Sequence, residues 1–361
     1  MHKIDVFCGV FGVFFSFFRQ NFLAKDGKKS TIGFIMANEN TNLLLFGLKD
    51  GQRSIRGAYI FLFAYVFATV LGAIFAPLAF WFAQYLHETN PSNETLTWLA
   101  GKGVDIFFDR ARYVAIVLVL PVVFIKCRLT SLGALRMKLN LKALKEFAKY
   151  YLLGLLLLAA MYAMQLMFTD CAFKSISLNE FCSVLGVAFV STLLLAFLEE
   201  LLFRDLIMRS FYTAWGMFMG IVLSSLFFAY KHFKVPSDIG GLDLHSASWY
   251  SGFQVAWYDT VGIFMSFDAF SYISLFMFGC VLCAMFLRAK TLYAPIGFHS
   301  AAVLAIMLYK ELVVPESSDS LRIVFGGVWV TKSYAALILL TLLLVFLLFF
   351  GQKNSVKSLK K

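Results

Sequence analysis

Long apolar runs separated by short polar segments are the dominant pattern of this chain. A helix needs about 20 consecutive apolar residues to cross a bilayer core, and windows of that length identify about eight spans. They lie near residues 57–86, 113–127, 149–169, 183–206, 216–232, 268–288, 291–309 and 333–350. Such runs are too long and too uniformly apolar for barrel strands. The pattern therefore predicts an all-α, polytopic integral membrane protein.

The polar segments divide the chain into four parts. Residues 1–56 are predicted to be a cytoplasmic segment whose Phe-rich run, Val6 to Phe18, lies on the membrane surface because it is too short to span. Residues 57–180 add transmembrane helices without recognisable chemistry. Residues 181–312 contain the charged groups discussed below, and residues 313–361 form the last span and a basic tail. Residues 233–251 are predicted to be an outer loop.

Composition and charge agree with a membrane protein. Hydrophobic residues make up 60% of the chain and charged residues 15%, against roughly 25% charged in soluble domains. With a cytoplasmic N-terminus, alternating spans place most of the 32 Lys and Arg on the inner side, as the positive-inside rule requires. We therefore expect both termini in the cytoplasm at a bacterial plasma membrane, and no nucleic-acid binding. The basic stretch 126–149 is expected to contact anionic lipid.

The six cysteines do not form a zinc framework. Cys280 and Cys283 make one C-x-x-C inside an apolar span, which indicates packed thiols. Cys171 and Cys182 bracket a short outer loop, where they can pair in an oxidising compartment. The sequence leaves that pairing open.

Charged side chains interrupt the fourth span in the stretch FLEELLFRDLIMR, residues 197–209. Ionised groups at membrane depth are costly and persist mainly where they pair or do chemistry. Glu200 and Arg204 are four residues apart, so they face each other along one side of a helix and can neutralise one another. Glu199 points elsewhere and has no partner in its own helix. Glu199 therefore needs groups from another helix.

Two histidines are predicted to lie at the depth of Glu199. The midpoint between Glu199 and His232 falls at Trp215 and Gly216, where a helical hairpin can turn and bring both side chains face to face. His299 lies about two turns into the seventh span and reaches the same region. His2, His87 and His245 fall outside the membrane. An interhelical hydrogen bond is the alternative role for each histidine alone.

Three motifs carry a family resemblance. EELLFR (199–204) fits E-E-x-x-x-R, FAYKH (228–232) fits F-x-x-x-H, and His299 begins H-x-x-x-N. In this order, over about residues 183–310, they resemble the CAAX protease and bacteriocin-processing (CPBP or Abi) family of intramembrane proteases.

The resemblance implies an intramembrane endopeptidase acting on membrane-associated peptides, either prenylated or bacteriocin-like. Glu199 and His232 would activate a water, Glu200 and Arg204 would hold their helix, and His299 would face the oxyanion. The implied partners are membrane lipid and a peptide or lipidated-protein substrate, and the oligomeric state is open. Position 303 departs from the motif, because Val303 replaces the usual Asn and donates nothing. His299 would then act alone or with a backbone N–H.

Other chemistries fit the same residues. Glu199, His232 and His299 are a donor set that can bind Zn²⁺, although direct activation of water is the preferred interpretation. A proton- or ion-coupled transporter and a catalytically silent scaffold or immunity protein are the alternative classes. Asp259 and Asp268, near the start of the sixth span, are expected to be solvated at a helix end rather than to line an outer entrance.

Overall fold

The computed structural model describes residues 43–49, 51–168, 171–232, 243–265, 267–315, 322–326 and 332–349. The predicted surface helix at Val6 to Phe18 and the basic tail lie outside these residues. The helices are α1 Arg56–Thr89, α2 Glu94–Ala100, α3 Val104–Lys126, α4 Leu141–Phe168, α5 Leu178–Glu200, a π-helical segment Leu201–Met208, α6 Arg209–Trp215, α7 Met217–Lys231, α8 Ser251–Met265, α9 Ala269–Ala289, α10 Tyr293–Leu312, α11 Arg322–Phe325 and α12 Tyr334–Phe349. Strand β1 (Cys171–Phe173) pairs antiparallel with β2 (Val313–Pro315).

The helices confirm an all-α, polytopic membrane architecture. Within the described residues, four helices are long and apolar enough to cross a bilayer, at Arg56–Thr89, Leu141–Phe168, Leu178–Trp215 and Ala269–Ala289. Two shorter apolar helices are Met217–Lys231 and Tyr334–Leu348. All eight predicted runs fall on helices, but the number that cross the membrane stays a prediction.

Several helices differ from the sequence prediction, among them α3 and α8. α3 begins at Val104 rather than near residue 113, because the charged residues of its first turns hid its start from a hydropathy window. α8 occupies residues for which no helix was predicted. It is short and carries Asp259, so no window of 20 residues registers it as a span.

The predicted solvated role of Asp259 is wrong, whereas Asp268 lies at a helix end as predicted but also lines a cavity. Asp259 is buried and accepts hydrogen bonds from Arg112 of α3 and, at 2.9 Å, from Lys231 of α7. It therefore joins three helices. Asp268 caps α9 by accepting from the backbone N–H groups of Phe270 and Ser271.

The five described cysteines form no disulfide with one another. Cys280 and Cys283 are buried in α9, as predicted for packed thiols. Cys171 and Cys182 are not bonded to each other.

Close helix contacts fix the depth of α10, which carries His299. A Cβ on Gly154 of α4 would lie 2.9 Å from the Cβ of Ala301, and one on Gly297 would lie 2.5 Å from the backbone oxygen of Phe147. Glycine at these positions lets the two backbones approach without a clash, as small residues do in membrane helix pairs. α10 is therefore held tightly against α4 on either side of His299.

Candidate active site

Glu199 and Glu200 are the last two residues of α5, whose first turn is stabilised by a capping box. The Ser177 side chain accepts from the Glu180 backbone N–H, and the Glu180 carboxylate accepts from the Ser177 backbone N–H, which is a complete capping box. After Glu200 the chain continues without interruption as the π-helical segment Leu201–Met208. Single π-helical turns occur often at functional sites, and hydrophobic periodicity gives no signal for them.

A tight hairpin brings His232 opposite Glu199. α6 ends at Trp215, Gly216 adopts φ +88°, and α7 begins at Met217, so the turn lies where it was predicted. A positive φ of this kind favours glycine, which explains Gly216 at the turn. His232 is the C-cap residue of α7. Its Nδ1 lies 2.8 Å from the Phe228 carbonyl oxygen, so Nδ1–H donates and a neutral ring keeps its lone pair on Nε2.

Glu200 holds two basic side chains at once. One oxygen, Oε2, lies 3.1 Å from Arg204 Nε, and the other, Oε1, lies 2.8 Å from His299 Nδ1. Glu200 and Arg204 have no exposed surface, and His299 is nearly as buried. The predicted pairing of Glu200 with Arg204 is therefore present, with His299 as an additional partner that sequence reasoning did not identify.

Phe228 explains the aromatic position of its motif. Its ring is fully buried and lies 5.0 Å from the Arg204 guanidinium carbon. The same ring lies 4.2 Å from the His232 ring and 5.9 Å from the His299 ring. One aromatic side chain thus contacts three of the predicted site residues and excludes water from the Arg204 cation.

Glu199 lies between the two histidines. Its Oε2 is 3.8 Å from His232 Nε2 and 3.8 Å from His299 Nε2. These distances are longer than a direct hydrogen bond and are of the kind that a water molecule bridges. Glu199 and His232 are partly exposed, at 18% and 30%, whereas Glu200 is sealed. The structure therefore brings together all five residues predicted for the site.

A cavity of about 580 Å³ opens at this cluster. Most of its wall consists of apolar side chains from α4, α9, α10 and α12, while Glu199, His232 and His299 supply polar atoms. Asp268, Ser271 and Lys332 line it near the start of α9. A smaller cavity of about 220 Å³, lined partly by Tyr65, Arg112 and Lys231, also reaches Glu199 and His232. The cluster thus lies where two cavities meet.

One cavity residue was missed by sequence reasoning. Ser274 is 1% exposed, lines the larger cavity, and its Oγ has no hydrogen-bond partner among the described residues. In α9, Phe278 packs against the His299 ring at 5.4 Å. Ser274 of α9 and Val303 of α10 line this same cavity. A serine in an apolar span gives no sequence signal of such a position.

The donor set proposed for a metal was tested against the geometry. Within the described parts of the chain, no group of three His, Cys, Asp or Glu side chains is arranged to hold a metal ion. Glu199 Oε2 lies 3.8 Å from His232 Nε2 and from His299 Nε2, while His299 Nδ1 is engaged by Glu200. A zinc ion at these three residues stays a prediction.

Comparison with known proteins gives a family match. Residues 181–305 match the model of the Rce1-like family, described as type II CAAX prenyl endopeptidase Rce1-like. Comparison with curated proteins and with solved structures gives no significant match. The resemblance drawn from the three motifs is thereby confirmed over this segment. Together with the apolar helices, the match supports an integral membrane protein with the general character of a CAAX-type intramembrane protease.

Proposed function

Proceeding from the match to Rce1-like endopeptidases, we propose that this protein is an intramembrane endopeptidase whose reaction depends on Glu199, His232 and His299. The observation that carries the proposal is the position of the Glu199 carboxylate, 3.8 Å from both imidazoles at the end of an apolar cavity. A carboxylate and two imidazoles at a common point are the groups that general acid–base hydrolysis needs.

The nucleophile is a water bound between Glu199 and His232. His232 donates from Nδ1 to the Phe228 carbonyl, so its Nε2 lone pair orients the water while Glu199 takes the proton. The water oxygen bonds to the peptide carbonyl carbon, and the carbonyl π electrons become an oxyanion. When the C–N bond breaks, Glu199 returns the proton to the departing amine, so the enzyme ends the cycle unchanged.

His299 stabilises the oxyanion from Nε2–H. This role requires the imidazolium form, because Nδ1–H already donates to the Glu200 carboxylate at 2.8 Å. Arg204, on the other oxygen of Glu200, holds that carboxylate in place and with it the His299 ring.

Ser274 supplies a second donor to the oxyanion, its side-chain hydroxyl, in addition to the His299 N–H. Val303 stands where the family motif has Asn, so α10 offers no amide at that level. The Ser274 Oγ is buried, lines the same cavity as Val303 and has no partner among the described residues. A donor aimed at an oxyanion is typically worth several kcal/mol in such a site. Ser274 therefore compensates for Val303.

The substrate is a peptide with a large apolar part. The wall of the larger cavity is mainly Leu, Met and Phe side chains, which suits a prenyl or acyl chain or the apolar side chains of a membrane-embedded peptide. The scissile bond would lie at Glu199, where the two cavities meet. A lipidated protein or a membrane-associated peptide satisfies both requirements.

The test compares peptide termini of membrane and secreted proteins in cells that contain the wild type, Glu199→Gln or Glu180→Gln at matched abundance. Glu180→Gln is the matched control, because it makes the same change in the same helix and Gln can keep the capping box. We expect a defined set of termini to disappear only with Glu199→Gln, and the lost sites identify the substrate. Unchanged termini in Glu199→Gln cells would overturn the peptidase proposal.

A further inference from the structure

A third cavity lies where α4 begins and α9 ends. Its volume is about 470 Å³. It is lined by Gly133, Ala134, Arg136, Lys138, Asn140, Lys142, Ala143, Arg209, Ala289, Lys290 and Thr291. Five of these residues are cationic and none is acidic. The cavity, called the basic pocket below, therefore presents a concentrated positive charge.

Arg209 lies buried at the base of the basic pocket, and the exposed lysines surround its opening, called the rim. Arg209 is 4% exposed, and its Nη1 donates to Asp205 Oδ1 and to the Ala134 carbonyl, both at 2.7 Å. Arg136 is half-buried, whereas Lys138, Lys142 and Lys290 are exposed. Burial and the neighbouring Arg209 cation lower the pKa of Arg136, the effect expected where positive charges are crowded. An anion entering the pocket relieves that crowding.

The walls of the basic pocket are fixed before any ligand binds. The Leu292 N–H and the Thr291 hydroxyl donate to the Arg136 carbonyl at 3.2 and 3.1 Å, and the Tyr293 hydroxyl donates to the Met137 carbonyl at 3.2 Å. Arg136 and Lys290 both adopt left-handed backbone conformations, with φ of 55° and 59°. Such strained positions persist only where the surrounding structure determines them.

A helix N-terminus adds to the positive field. α4 has 28 residues, and Asn140 caps it by accepting from the Ala143 N–H at 2.8 Å. Asn140, Lys142 and Ala143 all line the pocket. The start of a helix favours phosphate through its dipole and its free N–H groups.

Exposed leucines beside the rim indicate the source of the phosphate. Leu132, Leu139, Leu141 and Leu144 are 57% to 77% exposed and alternate along the chain with the rim lysines. Leucines at this density suit acyl chains, while the lysines reach the headgroup level. The pocket also lies on the side that charge distribution predicts to face the cytoplasm, where anionic lipid is expected. We propose that the basic pocket binds the phosphate of an anionic phospholipid headgroup.

The test uses the full chain, purified in neutral detergent and stripped of lipid. Native mass spectrometry follows titration with phosphatidylglycerol, with phosphatidylcholine, and with phosphatidylglycerol in the presence of inorganic phosphate. The pocket variant is Lys138→Gln with Lys142→Gln. The control is Lys126→Gln with Lys145→Gln, which removes two exposed lysines from the same side of the molecule but outside the pocket.

We expect the wild type and the control to retain one phosphatidylglycerol in preference to phosphatidylcholine. The pocket variant should bind it about tenfold more weakly, since each lysine near a lipid headgroup contributes measurably to binding. Equal weakening in both variants would mean non-specific surface attraction and would overturn the site. Displacement of the lipid by an equimolar amount of inorganic phosphate would assign the pocket to a soluble phosphate and overturn the lipid proposal.

Discussion

Two ion pairs of the same kind follow each other between the last residue of α5 and the first residue of α6. Glu200 pairs with Arg204 at 3.1 Å, and Asp205 pairs with Arg209 at 2.7 Å. In both pairs the acid precedes the arginine by four residues and is fully buried. Their other contacts are different. Glu200 also binds the His299 imidazole, whereas Arg209 binds the backbone carbonyls of Leu43 and Ala134.

The difference shows that a buried ion pair does not indicate a single role. The pair of Glu200 and Arg204 positions a titratable ring at the large cavity, so its loss should change chemistry as well as stability. The pair of Asp205 and Arg209 joins two distant backbone segments, so its loss should lower stability without changing the rate of cleavage. Buried pairs are in any case weak evidence of net stabilisation, although removal of one partner is costly. The predictions below separate these roles.

The largest effect is expected at Glu199, which belongs to neither pair. Glu199→Gln keeps the side-chain shape and removes the base, so cleavage of a substrate peptide should fall by roughly 10³-fold, within the range for general bases. The unfolding midpoint should stay unchanged because Glu199 makes no direct hydrogen bond in the cluster. Peptide cleavage and thermal unfolding of the purified protein measure both quantities. Residual cleavage near the wild-type rate would assign the proton transfer to another group.

The spacing of charged residues was enough to predict part of this site. A four-residue interval within one helix determines the contact of Glu200 with Arg204, and helix length measured from the turn at Gly216 places His232 opposite Glu199. Both relations are local or follow from one hairpin. Sequence reasoning for that reason reached four of the five predicted residues, whereas His299 was placed by its depth in the seventh span and by the family resemblance.

Contacts between remote segments were not predictable in the same way. Arg209 binds carbonyls of loops far away in the chain, and Ser274 acquires its position only from the packing of α9 against α10. The π-helical form of residues 201–208 and the helix α8 were also not predicted, because neither produces a long apolar window. What a single sequence lacks is the register between helices, which side-chain packing decides.

The next effect distinguishes the two acids directly. Glu200→Gln should lower the cleavage rate about 10²-fold, since His299 loses the carboxylate that supports its imidazolium form. Asp205→Asn should leave the rate of the folded protein within about threefold and lower the free energy of unfolding by roughly 3 kcal/mol. The rate per folded molecule and the unfolding midpoint, measured for both variants, give the answer. Equal loss of rate in both variants would contradict the division of roles.

A smaller effect is expected at Ser274. Ser274→Ala should lower the turnover rate roughly tenfold with little change in KM, because a donor to the oxyanion acts in the transition state. Ser271→Ala is the matched control, since Ser271 lines the same cavity but donates to Asp268 at 2.8 Å. Val303→Asn added to Ser274→Ala should restore part of the rate. If Ser274→Ala cleaves at the wild-type rate and the added Val303→Asn changes nothing, the Ser274 hydroxyl takes no part in the mechanism.

The smallest effect is expected from metal removal. The proposed reaction activates water directly with Glu199 and His232 and uses no metal. A chelator at millimolar concentration should therefore change the rate of cleavage by less than about twofold. If the protein depended on a structural or catalytic zinc, the chelator would remove the zinc and abolish cleavage. Metal content of the purified wild type and of His232→Ala, measured by mass spectrometry, gives a readout independent of activity. One zinc per chain in the wild type, absent in His232→Ala, would replace direct activation of water by metal-assisted hydrolysis at the same three residues.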